Sequence, residues 1–168
     1  MPTGGGGGGG VSGFPVNLFQ IGAMAVAPIT AVANKVIYTG FQLSVPLTFA
    51  NLVANVQTAD GVNNSDIGIY AANGATLLAN IGAQHLGSTG WQGFAIAQTS
   101  VTLNPGRYVF AMTSVGSTLS LNRDNAWPAW AVSSAGVGAS VGGALPANIP
   151  APTFAIGSSS SLMLALYT

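Results

Sequence analysis

Asp66–Asn80, DIGIYAANGATLLAN, and Thr99–Ser114, TSVTLNPGRYVFAMTS, are the stretches whose reading decides the fold. In the first, Ile67 and Ile69 alternate with Gly68 and Tyr70, Asn73-Gly74 interrupts, and Ala75-Thr76-Leu77-Leu78 resumes. Asn-Gly between two apolar runs signals a hairpin, because both central residues of a type I′ turn need positive φ. In the second, Asn104-Pro105-Gly106 has the composition of a type II turn, with Pro's fixed φ followed by a permissive Gly. Large residues then recur at Tyr108, Phe110 and Met112, alternating with Arg107, Val109, Ala111 and Thr113, which is a strand with one bulky face. Together they predict an antiparallel β-sandwich.

Working outward, strands are expected at Ile29–Val32, Lys35–Phe41, Gln42–Thr48 (stopping at Pro46), Leu52–Thr58, Trp91–Ile96, Ser117–Leu121 and Leu162–Tyr167. Ala59–Ser65 and Ile81–Gly90 read as polar loops, Asn122–Asn125 as a solvated turn and Ala126–Pro152 as a long irregular connection. No sustained 3.6-residue period predicts a helix. The fold class is all-β, an antiparallel sandwich of eight to ten strands in jelly-roll or Greek-key order. Both faces of Arg107–Thr113 and of Leu162–Tyr167 are apolar. One face fills the core, and a neighbouring subunit is the expected cover for the other.

At 168 residues the chain is expected to form one folded domain, 21–168, preceded by an arm and docking segment, 1–20. Gly4–Gly10 is an uninterrupted glycine tract with no strand before it and no Gly-Lys-Ser/Thr after it, so a phosphate loop is not supported. The tract reads as a flexible arm or as a thread between subunits where only bare backbone fits. Phe14, Val16, Leu18 and Phe19 make Val11–Gln20 too apolar for a free linker, and it reads as a short strand or docking segment. Leu18–Ala33 has the apolarity of a signal-peptide core, but no Lys or Arg precedes it, and Pro28 breaks a run already too short to span a bilayer; it reads as part of the fold.

Charge separates this chain from ordinary soluble domains. Three Lys+Arg and three Asp+Glu make 4% of the residues, where about 25% is usual. The net charge of zero gives no basic field for nucleic acid. A surface this poor in charge has little repulsion to keep copies apart, so an oligomer or larger assembly is expected. The absence of cysteine excludes disulfides and thiolate metal sites.

No residue set composes an enzyme. Gly138-Ala139-Ser140-Val141-Gly142 matches G-x-S-x-G, but it lies in a Gly/Ser/Ala tract and the single histidine, His85, precedes it. His85 has no partner at metal-ligand spacing. Asp60 and Asp66 bracket Gly61–Ser65, an oxygen-rich loop that could take calcium yet lacks the alternating carboxylates and terminal Glu of a calcium loop. Asp60, Asp66 and Asp124 give no basis for a glycosidase pair. No cofactor is expected. Trp91, Trp127 and Trp130 could stack on sugar rings, but Trp127 and Trp130 flanking Pro128 suit a subunit contact better. Gly4, Gly10, Phe14, Leu18, Phe19, Trp127 and Trp130 are the expected assembly-interface residues.

The order DIGIYAANGATLLAN, then TLNPGRYVFAM, then ALPANIPAPTF resembles small β-sandwich proteins of tailed-bacteriophage virions. Their pattern is a G-[IV]-Y strand, an Asn-Gly hairpin and an L-x-P-G-x-Y strand. The resemblance spans Asp66–Met112 and, more loosely, Leu145–Phe154, and departs from the pattern at Ala71, where Asp often follows the Tyr. It implies a capsid-decoration (cement) protein or a fibre knob, usually trimeric, with no catalytic residues. Its expected partners are copies of itself and the major capsid protein or another virion protein, with no nucleic acid and no membrane. Its expected location is the virion, assembled in the host cytoplasm. A single domain without a coiled-coil stem favours cement. The alternative is a fibre-knob adhesin that recognises a host glycan through Trp91 or Trp127 and Trp130.

Overall fold

The computed structural model describes residues 26–124, 137–151, 161–162 and 164–167. Among them the regular structure is all strand: β1 (Val26–Thr30), β2 (Lys35–Leu43), β3 (Leu47–Phe49), β4 (Asn51–Thr58), β5 (Asp60–Ala71), β6 (Leu77–Asn80), β7 (Gln84–Leu86), β8 (Gly90–Ala95), β9 (Val101–Leu103), β10 (Gly106–Ser114), β11 (Ser120–Asp124), β12 (Val137–Ala139), β13 (Ser161–Leu162) and β14 (Leu164–Tyr167). Every pairing is antiparallel. One six-stranded sheet runs β1-β11-β4-β14, with β13 on β11 and β8 on β4; a second runs β12-β2-β10-β5-β6, with β7 on β5. β3 and β9 form a separate pair.

The period-two pattern of β10 decides where the core lies. Phe110 and Met112 point into one large apolar cluster with Ile67 and Ile69 of β5, and Tyr108 packs at its margin. The other sheet contributes Leu52, Ala54 and Val56 from β4 and Leu121 from β11 to the same cluster, so one core joins both sheets. Burying each of these side chains larger than Ala54 contributes roughly 1.5–3 kcal/mol.

The opposite face of β10 corrects an expectation. Val109 and Ala111 are covered by this chain's own segment, not by another subunit. Together with Val36, Tyr38 and Tyr70 they pack under Leu145 and Ile149, which belong to an irregular strap over Ser140–Ala151. Pro146 and Pro150 lack the N–H groups a further strand would need, so the strap crosses the sheet without joining its ladder. The matching expectation for Leu162–Tyr167 concerns side chains outside the described residues.

Several boundaries also shift. Ala59–Ser65 is not a loop. Asp60–Ser65 forms the first half of β5, and its register against β7 slips between Asp60 and Asn64. The Asp60 carboxylate takes the N–H groups of Val62 and Asn63, at 3.1 and 2.9 Å, and so draws the backbone there out of the ladder as a bulge. Asn122–Asp124 is strand in β11, paired with β1, where a solvated turn was expected. Inside the expected loop Ile81–Gly90 lies the short β7. Ala126–Pro152 is not wholly irregular either, since it contains β12.

Both turn types differ from expectation as well. Gly74 has φ 72°, but Asn73 is not among the positive-φ residues, so the β5–β6 connection is not type I′. The Gly74 N–H donates to the Ala71 carbonyl at 2.8 Å, and the Asn73 side-chain oxygen accepts from the Ala75 N–H at 3.0 Å. The side chain thus stabilises a longer loop in which only Gly74 is left-handed. Gly106 is not at positive φ, so Asn104–Gly106 is not a type II turn. Gly106 already pairs with Leu43, and the Tyr108 hydroxyl reaches back to the Asn104 carbonyl at 2.8 Å, locking that corner as tyrosine corners do.

Candidate functional site

The expected interface residues Gly4, Gly10, Phe14, Leu18, Phe19, Trp127 and Trp130 lie outside the described residues. Of the residues weighed for chemistry, the structure places Asp60, Asp66, His85, Trp91 and Ser140. It does not bring them into one constellation.

Asp60 and Asp66 take their hydrogen bonds from different partners. The Oδ2 of Asp60 accepts from the Asn63 side-chain amide at 3.0 Å, so both of its oxygens are bound by N–H donors. Those donors, the Asn63 backbone N–H foremost, hold its carboxyl below the usual carboxylate range. Partial burial opposes them, and the Val62 N–H and the nearby His85 add to the lowering. His85 itself is exposed on β7. Among the described residues no three His, Cys, Asp or Glu side chains gather as a metal cluster would require.

Asp66 faces the other way, beneath the strap, and is fully buried. Its Oδ2 accepts from the Asn80 side-chain amide at 2.8 Å and from the Leu145 backbone N–H at 3.0 Å. Its Oδ1 makes no hydrogen bond of ordinary geometry. Burial pushes the Asp66 carboxyl above its ordinary value, against the lowering effect of the Leu145 N–H, the Asn80 amide and the more weakly placed N–H groups of Gly82 and Ile81. Four residues further along β5, the Tyr70 hydroxyl donates to the Pro146 carbonyl at 2.6 Å. Burial, and then the Asp66 charge, pushes that phenol well above its ordinary value. The strap is also held by the Leu77 N–H donating to the Ala147 carbonyl at 3.0 Å and by the Ile149 N–H donating to the Gly74 carbonyl at 2.8 Å.

Ser140 follows β12, as a nucleophile elbow requires, but leads into Gly142 and Gly143 at φ 61° and 78° and a Val141–Ala144 bridge, not a helix. Its hydroxyl is buried and has no hydrogen-bond partner, His85 included. Trp91 stands on β8, opposite Asn55 of β4, and is 49% exposed. Asn55 in turn accepts from the Asn122 side-chain amide at 2.9 Å, so the sheet sets two amides beside the indole where the sequence separates them by 67 positions.

Sequence reasoning missed the Asp66–Asn80–Leu145 cluster. Its one legible sign was an acidic residue at the head of an apolar strand run. Comparison with known protein families, with curated proteins and with solved structures returns no match.

Proposed function

We propose that the two sheets form a β-sandwich of jelly-roll or Greek-key type, and that the protein is a non-enzymatic structural component of a bacteriophage virion. On this reading it is a homotrimeric capsid-decoration protein that docks on the major capsid protein through its N-terminal segment and Trp127/Trp130. The core joining both sheets supports the sandwich, and the resemblance of Asp66–Met112 supports the virion assignment.

The observation that carries the assembly reading is the fate of the charges. Asp60 and Asp66 are buried, which leaves Lys35 and Arg107 as the exposed Lys, Arg or Asp side chains among those described. That surface also exposes Val45, Val62 and Val141 at 64%, 82% and 85%. With so little charge to resist association, covering by like or unlike subunits is the stable outcome. The test is a particle reconstruction at a resolution that locates this chain. Many copies on the shell support decoration, a few copies at a tail or vertex move the assignment to a fibre knob, and absence from particles overturns it.

Trp91 favours a second reading, the fibre-knob adhesin. A half-exposed indole beside the Asn55–Asn122 amide pair has the apolar platform and hydrogen-bonding groups that neutral sugars use. Under the decoration reading glycan arrays give no binding tighter than about millimolar, roughly −4 kcal/mol. A micromolar hit abolished by Trp91→Ala would replace it with the adhesin.

A further inference from the structure

The strap Ser140–Ala151 is attached to the sheet beneath it in an unusual way. Its apolar part is ordinary: Leu145 and Ile149 plug the face formed by Val36, Tyr38, Tyr70, Val109 and Ala111. The sheet has made room for them. A Cβ on Gly68 would lie 2.8 Å from Leu145 Cδ1, and one on Gly74 would lie 2.8 Å from Ile149 Cγ1. Its polar part hinges on a carboxylate. The Leu145 N–H is held by Asp66, a fully buried acid that shares its accepting oxygen with Asn80 and leaves its other oxygen unpartnered.

Among the described residues no cation compensates that acid. The strap and β6 carry no titratable side chain, and on β10 the residue paired with Asp66 is Thr113, whose hydroxyl donates to the Lys35 carbonyl. Lys35 at the head of β2 and His85 on β7 are exposed, and the field of His85 falls on Asp60. Besides Asp66, β5 carries Asp60, whose oxygens are taken by Val62 and Asn63, and Tyr70, whose hydroxyl is committed to Pro146; Tyr38 of β2 lies in the same apolar cluster as Tyr70. A buried carboxylate with an orphaned oxygen and no cation is costly when ionised and much less so when protonated.

We propose that Asp66 makes the strap a pH-responsive latch, closed over the outer face of its sheet in acid and loosened when the buried carboxyl gives up its proton. In the closed form the Asp66 proton is retained and Leu145 and Ile149 stay seated. Loss of the proton to solvent leaves an anion held by two well-placed N–H donors on Oδ2 and only weakly by the N–H groups of Gly82 and Ile81. Lifting the strap admits water to that anion and bares Val36, Tyr38, Val109 and Ala111. The upward shift of the Asp66 carboxyl by burial agrees with this direction.

Hydrogen exchange on the full chain between pH 4 and pH 8, normalised for intrinsic rates, tests the latch. The readouts are the amides of Leu145, Ile149 and Leu77, with β10 amides as internal reference. The expected result is a strap-opening constant that rises up to about tenfold per pH unit through the Asp66 titration, while β10 protection stays constant. In Asp66→Asn, which keeps an accepting oxygen but cannot ionise, strap protection becomes independent of pH. Flat protection in the wild type, the same decline in Asp66→Asn, or an equal decline in β10 overturns the proposal. If the variant does not fold, carbon NMR titration of the wild-type Asp66 carboxyl decides. Its midpoint must coincide with the midpoint of strap loosening, and a mismatch overturns the latch.

Discussion

A methyl group added at Gly68 would lie 2.5 Å from the Ala79 carbonyl oxygen, 2.8 Å from Leu145 Cδ1 and 2.9 Å from Asn80 Cβ, so three neighbours would have to move at once. Gly68→Ala is therefore expected to cost about 1–3 kcal/mol in denaturant unfolding, the range for overpacking. Gly61→Ala, whose Cβ would sit 3.8 Å from Gly87 Cα, is expected to change little in the same measurement. Tyr70→Phe removes the donor from the Pro146 carbonyl and is expected to cost about 1–3 kcal/mol. The two buried acids act on stability with opposite signs. Asp60, with its carboxyl lowered, contributes stability that is present above the ordinary carboxylate value and lost as pH falls through the folded value. Asp66, with its carboxyl raised, contributes stability that is fully present below that ordinary value and lost as pH rises through the folded one. Denaturation midpoints measured from pH 3 to pH 8 should show Asp60→Asn flattening the acid limb and Asp66→Asn flattening the decline on the less acidic side.

Among the elements, those whose own side chains specify them were legible and those specified by distant partners were not. Tyr108, Phe110 and Met112 alternate in the sequence and face the core in β10, because period two is a local property of a strand. The pairing of β10 between β2 and β5 is a long-range choice that no alternation encodes. Asn73-Gly74 marked the β5–β6 hairpin, yet the Asn73 side chain bonded to Ala75 selected a different turn from the one its composition suggested. The bulge after Asp60 was hidden because Asp, Gly and Asn are also what a loop contains, and only the carboxylate's bonds distinguish the two. Covering Val109 and Ala111 required Leu145 and Ile149, more than 30 positions further along the chain, so an intramolecular cover was read as an intermolecular one. As a test of the strap's contribution, Ile149→Ala is expected to cost about 2–5 kcal/mol in chemical unfolding while far-ultraviolet circular dichroism remains that of a β protein.

At the scale of the whole molecule the account rests on charge and cover. The sequence announces scarce charge, and the fold takes two of the three carboxylates out of the described surface, so that surface is poorer still in charge than the composition, and what it keeps at Lys35 and Arg107 is cationic. The strap covers one sheet from within, which lessens the need for a subunit on that face and moves the proposed contacts to the remaining surface. The candidate interface was legible only as composition, because its residues lie outside those described, whereas the buried acid at Asp66 needed the strap in place to be seen. The central claim is that this surface is built for association, and multi-angle light scattering of the purified full chain at micromolar concentration tests it most directly. The account predicts a trimer that persists on dilution and buries well over ~1,000 Å² per subunit pair, the range of specific interfaces. A folded, soluble monomer across that concentration range would contradict it.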